Sequence, residues 1–195
     1  MYLEETQKFI NSKKYKILLS EQQIKKKVKE LGRQISNDYR GKCPILIGVL
    51  NGSFIFCADL FREIDIDCEV DFIKISSYGE AMETSSVVKL LKDIDAHLKG
   101  RHVLVVEDIV DSGYSVQFLK HRINKTNPKS LNFVSLLVKE DGAKVPYDIQ
   151  YIGFKIPNRF VVGYGLDYAQ KFRNLPTIYL MDNVDAEREE AKNLK

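Results

Sequence analysis

Cysteine and histidine are scarce in this sequence, three of each among 195 residues. Cys43, Cys57 and Cys68 are odd in number and have no metal-ligand spacing, so they read as reduced, buried thiols. His97, His102 and His121 form no ligand pattern. Long apolar runs are missing too: none approaches the roughly 18 residues that a membrane helix needs. The first residues, Met1-Tyr2-Leu3-Glu4-Glu5, have neither the basic nor the apolar region of a signal peptide. Charge is nearly balanced, 30 basic residues against 27 acidic, a net +3. That excess is too small to imply nucleic-acid binding. Much of it lies in Lys25-Lys26-Lys27-Val28-Lys29, which reads as the solvated face of a helix. No internal repeat or interdomain linker is visible. These absences point to a cytoplasmic chain of one domain with no membrane or nucleic-acid partner. With 44% apolar residues it can bury a sizeable core.

What is present is organised around Val103-Leu104-Val105-Val106-Glu107-Asp108-Ile109-Val110-Asp111-Ser112-Gly113-Tyr114-Ser115. The opening apolar run, mostly β-branched, predicts a strand buried on both faces, as in a parallel sheet. Glu107 and Asp108 end it. Asp111 and the small polar turn Ser112-Gly113 follow. From Ser115, the spacing of Val116, Leu119 and Ile123 predicts a helix. In an open α/β sheet, ligands bind beyond the carboxyl ends of the strands. A helix N-terminus offers free N–H groups and partial positive charge, and Gly113 lets the backbone come close. Asp111 to Ser115 can therefore cradle a phosphate. No lysine follows the glycine, so this is not a P-loop. Glu107 and Asp108 can accept hydrogen bonds from vicinal hydroxyls. A phosphate site beside a diol site describes a ribose 5-phosphate.

The rest of the chain supplies more strand ends. Ser20 and Gln23 have capping-box spacing before the stripe Ile24, Val28, Leu31, Ile35, which predicts a helix over residues 20–39. Residues 45–50 read as a buried strand, Asn51-Gly52-Ser53 as a tight turn and residues 54–64 as a helix. A strand over 70–75 runs out at Ser76-Ser77-Tyr78-Gly79. The polar segment 80–86 reads either as a surface loop or as a lid, and 87–91 as a strand flanking it. Residues 131–138 form another strand, ending at Lys139. The strand ends at Leu50, Ser76, Glu107 and Lys139 then share one edge of a parallel sheet. Residues 148–154 and 159–164 read as irregular β structure outside that sheet, 178–181 as a last short strand, and 182–195 as a solvated helix or frayed tail.

The central stretch resembles the phosphoribosyl-pyrophosphate signature of the type I phosphoribosyltransferases. Ser135-Leu136-Leu137-Val138-Lys139 and Phe160-Val161-Val162-Gly163-Tyr164-Gly165-Leu166-Asp167-Tyr168 narrow the resemblance to the hypoxanthine-guanine branch. It extends over residues 18–181. It implies an α/β fold with a mainly parallel central sheet flanked by helices, a core over about residues 20–140 and a small hood from 1–19 and 141–181. It also implies transfer of a 5-phosphoribosyl group from phosphoribosyl pyrophosphate to N9 of hypoxanthine or guanine. IMP or GMP and pyrophosphate would result, with magnesium (Mg2+) as cofactor and a homodimer or homotetramer as the working form. The apolar residues of segment 54–61, more than one sheet face covers, fit such an oligomer.

Residue roles follow from the same resemblance. Glu107 and Asp108 match the acids that hold the ribose hydroxyls and a magnesium shell. Asp111 matches the proton-transfer group near purine N7. Ser112, Gly113, Tyr114 and Ser115 match the 5-phosphate loop. Lys139 matches the donor to the purine 6-oxo group, Phe160 the aromatic that stacks on the base, and Val161 the residue whose backbone reads its edge. Asp167 matches a second magnesium-site acid on the purine side, and Arg173 an arginine near pyrophosphate. Leu50, Asn51 and Gly52 match the pyrophosphate loop, which in this family contains a non-proline cis peptide. Ser77 and Tyr78 match the lid motif. Asn51 and Tyr114 depart from members that carry basic residues there. Two rivals stay open at this point: a regulator on the same fold that binds RNA, and an enzyme that prefers xanthine. The base edge is read largely by backbone, so side chains do not rank the purines.

Overall fold

A computed structural model describes residues 15–78, 87–140, 142 and 145–181. Segment 80–86, read as a loop or lid, and tail 182–195 lie outside the described residues. The described residues divide into two compact units, one drawn from Met1–Ile24 and Arg159–Lys195, the other from Lys25–Asn158.

The larger unit is built on a six-stranded sheet. In chain order its elements begin with α1 (Glu21–Asp38), whose first residues belong to the smaller unit, then β2 (Ile45–Leu50), α2 (Phe54–Glu63), β3 (Glu69–Tyr78) and β4 (Val87–Lys92). They continue with β5 (His102–Val110), α3 (Tyr114–Asn124), β6 (Ser130–Lys139) and β7 (Tyr151–Ile156). The sheet order is β4-β3-β2-β5-β6-β7. All neighbours are parallel except β3 and β4. The α/β, mainly parallel reading therefore holds. So does its consequence: Leu50, Tyr78, Val110 and Lys139 end their strands on one edge.

Local chemistry explains these elements. Ser20 and Gln23 cap α1 reciprocally: Gln23 N–H donates to Ser20 Oγ at 3.3 Å, and Ser20 N–H donates to Gln23 Oε1 at 2.9 Å. Ile24, Val28, Leu31 and Ile35 form its buried stripe. At the sheet centre, Val103, Leu104, Val105 and Val106 are all fully buried. Each such side chain contributes roughly 1.5–3 kcal/mol relative to exposure. A strand covered on both faces has no polar side to alternate, hence the continuous apolar run.

Two expectations are corrected. β5 does not end at Glu107 but runs on to Val110, because Glu107, Ile109 and Val110 still pair with Ser135, Leu137 and Val138 of β6. Glu107 and Asp108 are thus residues within the strand rather than its tip. Residues 148–154 are not irregular structure outside the main sheet. From Tyr151 they enter β7, which pairs with β6 from Val134↔Tyr151 to Lys139↔Ile156. Gly153 and Lys155 interrupt the apolar pattern there, and as an edge strand β7 needs only one partner.

The smaller unit holds a three-stranded antiparallel sheet of order β1-β9-β8, formed by β1 (Tyr15–Leu19), β8 (Val161–Val162) and β9 (Ile178–Met181). β8 is shorter than the expected 159–164. Tyr15, Val162 and Met181 form its core, with Phe160, Tyr168, Phe172 and Tyr179 packed around them.

Candidate active site

Sheet topology brings the larger unit's predicted residues to one edge. β5 carries Glu107 and Asp108 to their positions, β2 delivers Leu50-Asn51-Gly52 beside them, and β6 delivers Lys139. Glu107 is 4% exposed, and its Oε1 has no hydrogen-bond partner among the described residues. Burial, and next the neighbouring Asp108 charge, push its carboxyl well above the usual range. A buried carboxyl oxygen without a partner is costly and asks for a ligand.

Asp108 lies against the β2 turn. A Cβ built on Gly52 would stand 1.7 Å from Asp108 Oδ2, so only glycine lets the turn approach this acid. The turn itself is tied down by the buried Ser53 hydroxyl, which donates to the Val49 carbonyl at 2.6 Å. The Leu50–Asn51 peptide is cis, as the resemblance implied.

Past β5, the chain turns at Ser112 and Gly113 into α3. Gly113 is the N-cap in the left-handed region, φ +87°, with no side-chain cap bond among the described residues. The first-turn N–H groups of Tyr114, Ser115 and Val116 therefore keep their capacity for an anion. Asp111 does not cap the helix. Its Oδ2 instead accepts from Lys139 Nζ at 2.6 Å, and the lysine is only 12% exposed. An acid and a donor that the resemblance matches to N7 and to the 6-oxo group, neighbours on one edge of a purine, thus hold each other in this structure.

Ser77 and Tyr78 close β3 on the same edge. The smaller unit carries the other predicted residues. Phe160 stands edge-on to Tyr168, ring centroids 6.0 Å apart. Val161 opens β8 and is buried. Asp167 pairs with Arg173 at 2.8 Å and accepts from Gln170 N–H at 2.8 Å, while Arg173 also donates to the Gly165 carbonyl at 2.7 Å. Four left-handed non-glycine residues, Tyr164, Ala169, Gln170 and Phe172, mark this as a tightly specified loop.

Sequence reading missed Val145 and Tyr147, which pack on the turn at Gly113. Neither carries a motif, and only the contact reveals them. A cavity of about 380 Å³ lined by Ile94, Phe118 and Arg122 among others opens beside α3 but contains none of the carboxylates. Chemistry rather than concavity locates the site.

Comparison with known proteins agrees with this geometry. The phosphoribosyl transferase domain matches residues 14–169. Hypoxanthine-guanine phosphoribosyltransferase of Bacillus subtilis is 45% identical over 163 residues, 84% of this chain and 91% of the relative. A crystal structure of a hypoxanthine-guanine phosphoribosyltransferase from Bacillus anthracis superposes with a TM-score of 0.82 at 50% identity, covering 86% of this chain and 98% of that one. The bifunctional protein TilS/HprT of Listeria monocytogenes is 45% identical over 166 residues, and there the chain spans only 26% of the relative's length. The chain thus carries a phosphoribosyl transferase domain. Within that class, the chain belongs to the hypoxanthine-guanine phosphoribosyltransferase family.

Proposed function

We propose that the chain transfers the 5-phosphoribosyl group of phosphoribosyl pyrophosphate to N9 of hypoxanthine or guanine, releasing pyrophosphate. The observation that carries this is the Asp111–Lys139 pair, set beside Glu107–Asp108 and the uncapped start of α3. The α3 N–H groups take the 5-phosphate, and Glu107 and Asp108 take the ribose hydroxyls. On base binding, Lys139 turns from Asp111 to the 6-oxo oxygen as a point-charge donor. Asp111, released, accepts the proton that N7 sheds as N9 becomes bonded to the sugar. Phe160 stacks on the base and the Val161 backbone reads its edge.

Glu107 and Asp108 fit a magnesium ion. The ion prefers hard oxygen donors and is commonly held by one or two carboxylates plus substrate phosphates, and Glu107 Oε1 has no protein partner among the described residues. Asp167 is the proposed acid of a second magnesium site, and Arg173 with Leu50, Asn51 and Gly52 the pyrophosphate contacts. When bound, magnesium supplies Lewis-acid stabilisation of the leaving pyrophosphate. The two compact units together constitute one functional domain, and the working form is a homodimer or homotetramer. Purine salvage in the cytoplasm is the setting these assignments suit.

Calorimetric titration with IMP and with inosine tests the phosphate cradle. IMP should bind at least about tenfold tighter, the contribution of charge-assisted hydrogen bonds at the helix start. Equal affinities would overturn the assignment.

A further inference from the structure

A strap formed by Val145, Pro146 and Tyr147 of the β6–β7 connection packs on the Ser112–Gly113 turn and α3, and these contacts fall within the larger unit. Val145 N–H donates to the Ser112 carbonyl at 3.2 Å. The Pro146 carbonyl accepts from Gln117 Nε2 at 3.1 Å, fixing the strap to the first turns of α3. The Tyr147 ring lies on Gly113: a Cβ there would stand 2.6 Å from Tyr147 Cδ1 and 2.9 Å from the Val145 carbonyl. Upstream, a Cβ on Gly142 would meet Asp111 Oδ1 at 2.5 Å. Tyr147 is itself half-buried and packs against the sheet core. Burial, then the Asp111 charge, push its phenol upward.

A loop whose N–H groups must all point at one anion needs something to fix its peptide planes. The left-handed Gly113, with no side-chain cap among the described residues, leaves that to neighbours. We propose that Tyr147, with the Val145 backbone, is a positioning element that holds the Ser112–Gly113 turn in the orientation that receives the substrate's 5-phosphate. The inference rests on reading that loop as a phosphate site. Tyr147 touches the loop at Gly113, so its proposed action runs through Gly113 and Ser112.

The test measures steady-state kinetics and ribose 5-phosphate binding for wild type, Tyr147→Phe and Tyr147→Ala. Loss of the ring should raise KM for phosphoribosyl pyrophosphate and the Kd of ribose 5-phosphate together, by about tenfold or more, since small misplacements of a positioning group carry such costs. The KM of the base should stay unchanged. Tyr147→Phe keeps the ring and should restore both constants to wild-type values. Where the alanine form does not fold, Tyr147→Leu, which keeps apolar contact with the core but not the flat ring, takes its place with the same expectation. A variant that melts earlier but binds ribose 5-phosphate like wild type would overturn the positioning role. Wild-type protein that fails to bind ribose 5-phosphate would instead overturn the phosphate reading itself.

Discussion

Asp111 bears the most specific chemical assignment, and its surroundings separate two readings of it. A carboxylate three residues before a helix can serve as an N-terminal cap, whose removal costs about 1 kcal/mol of stability and nothing chemical. Here the helix begins at Gly113 with no side-chain cap bond among the described residues, and Asp111 faces Lys139. Asp111→Asn keeps the size but cannot take up a proton as a carboxylate does. The expected result is a fall in single-turnover rate of roughly 10²–10⁴-fold, with little change in binding of phosphoribosyl pyrophosphate. A variant that loses stability yet reacts at the wild-type rate under saturation would return Asp111 to a structural role. Residue chemistry of this kind was legible in the sequence because three acids, a glycine and a helix stripe are contiguous. The partnership with Lys139 was not, since 28 positions separate the two. Nor was the strap, because Tyr147 acts by contact and leaves no pattern.

At the scale of elements, strands with continuous apolar runs were readable and edge strands were not. β2 and β6 match their expected spans to within a residue, since burial on both faces leaves an unbroken run. β7 was hidden by Gly153 and Lys155. β1, at one edge of the small sheet, exposes Ile17 and shows no run long enough to mark it. Asp71 is one of the side chains that hold the link from β4 to β5, as Arg122 is through Asp93. Asp71 in β3 accepts from Phe72 N–H at 2.6 Å, Asp95 N–H at 2.7 Å and Ala96 N–H at 2.8 Å, with Lys92 nearby. Burial works to raise its pKa, but those three donors and the lysine outweigh it, so the carboxyl titrates below its ordinary 3.8. A lowered folded-state pKa means that the contribution is present above the unfolded value and is lost as pH falls through the folded one. Asp71→Asn should therefore cost about 1–3 kcal/mol at neutral pH. The gap from wild type should narrow in acid below pH 3.8, as denaturant titrations across that range would show. A gap that stays constant into strong acid would mean that the charge on Asp71 contributes nothing.

For the whole molecule, the sequence anticipated the α/β class and the shared strand edge, but placed residues 148–154 outside the main sheet, which they enter from Tyr151. Among the described residues no helix is long and apolar enough to cross a membrane. The proposed oligomer draws on α2, where Phe54 is 44% exposed beside the part-exposed Ile55 and Phe61. Analytical ultracentrifugation at micromolar concentration should find a dimer or tetramer, and a fully active monomer would contradict this. The central claim is chemical, and one assay reaches it: pyrophosphate release from phosphoribosyl pyrophosphate and magnesium with hypoxanthine, guanine or xanthine supplied in turn. Release that depends on hypoxanthine or guanine, with IMP or GMP formed in equal amount, is the predicted result. No release with either of these bases, or release only with xanthine, would contradict it.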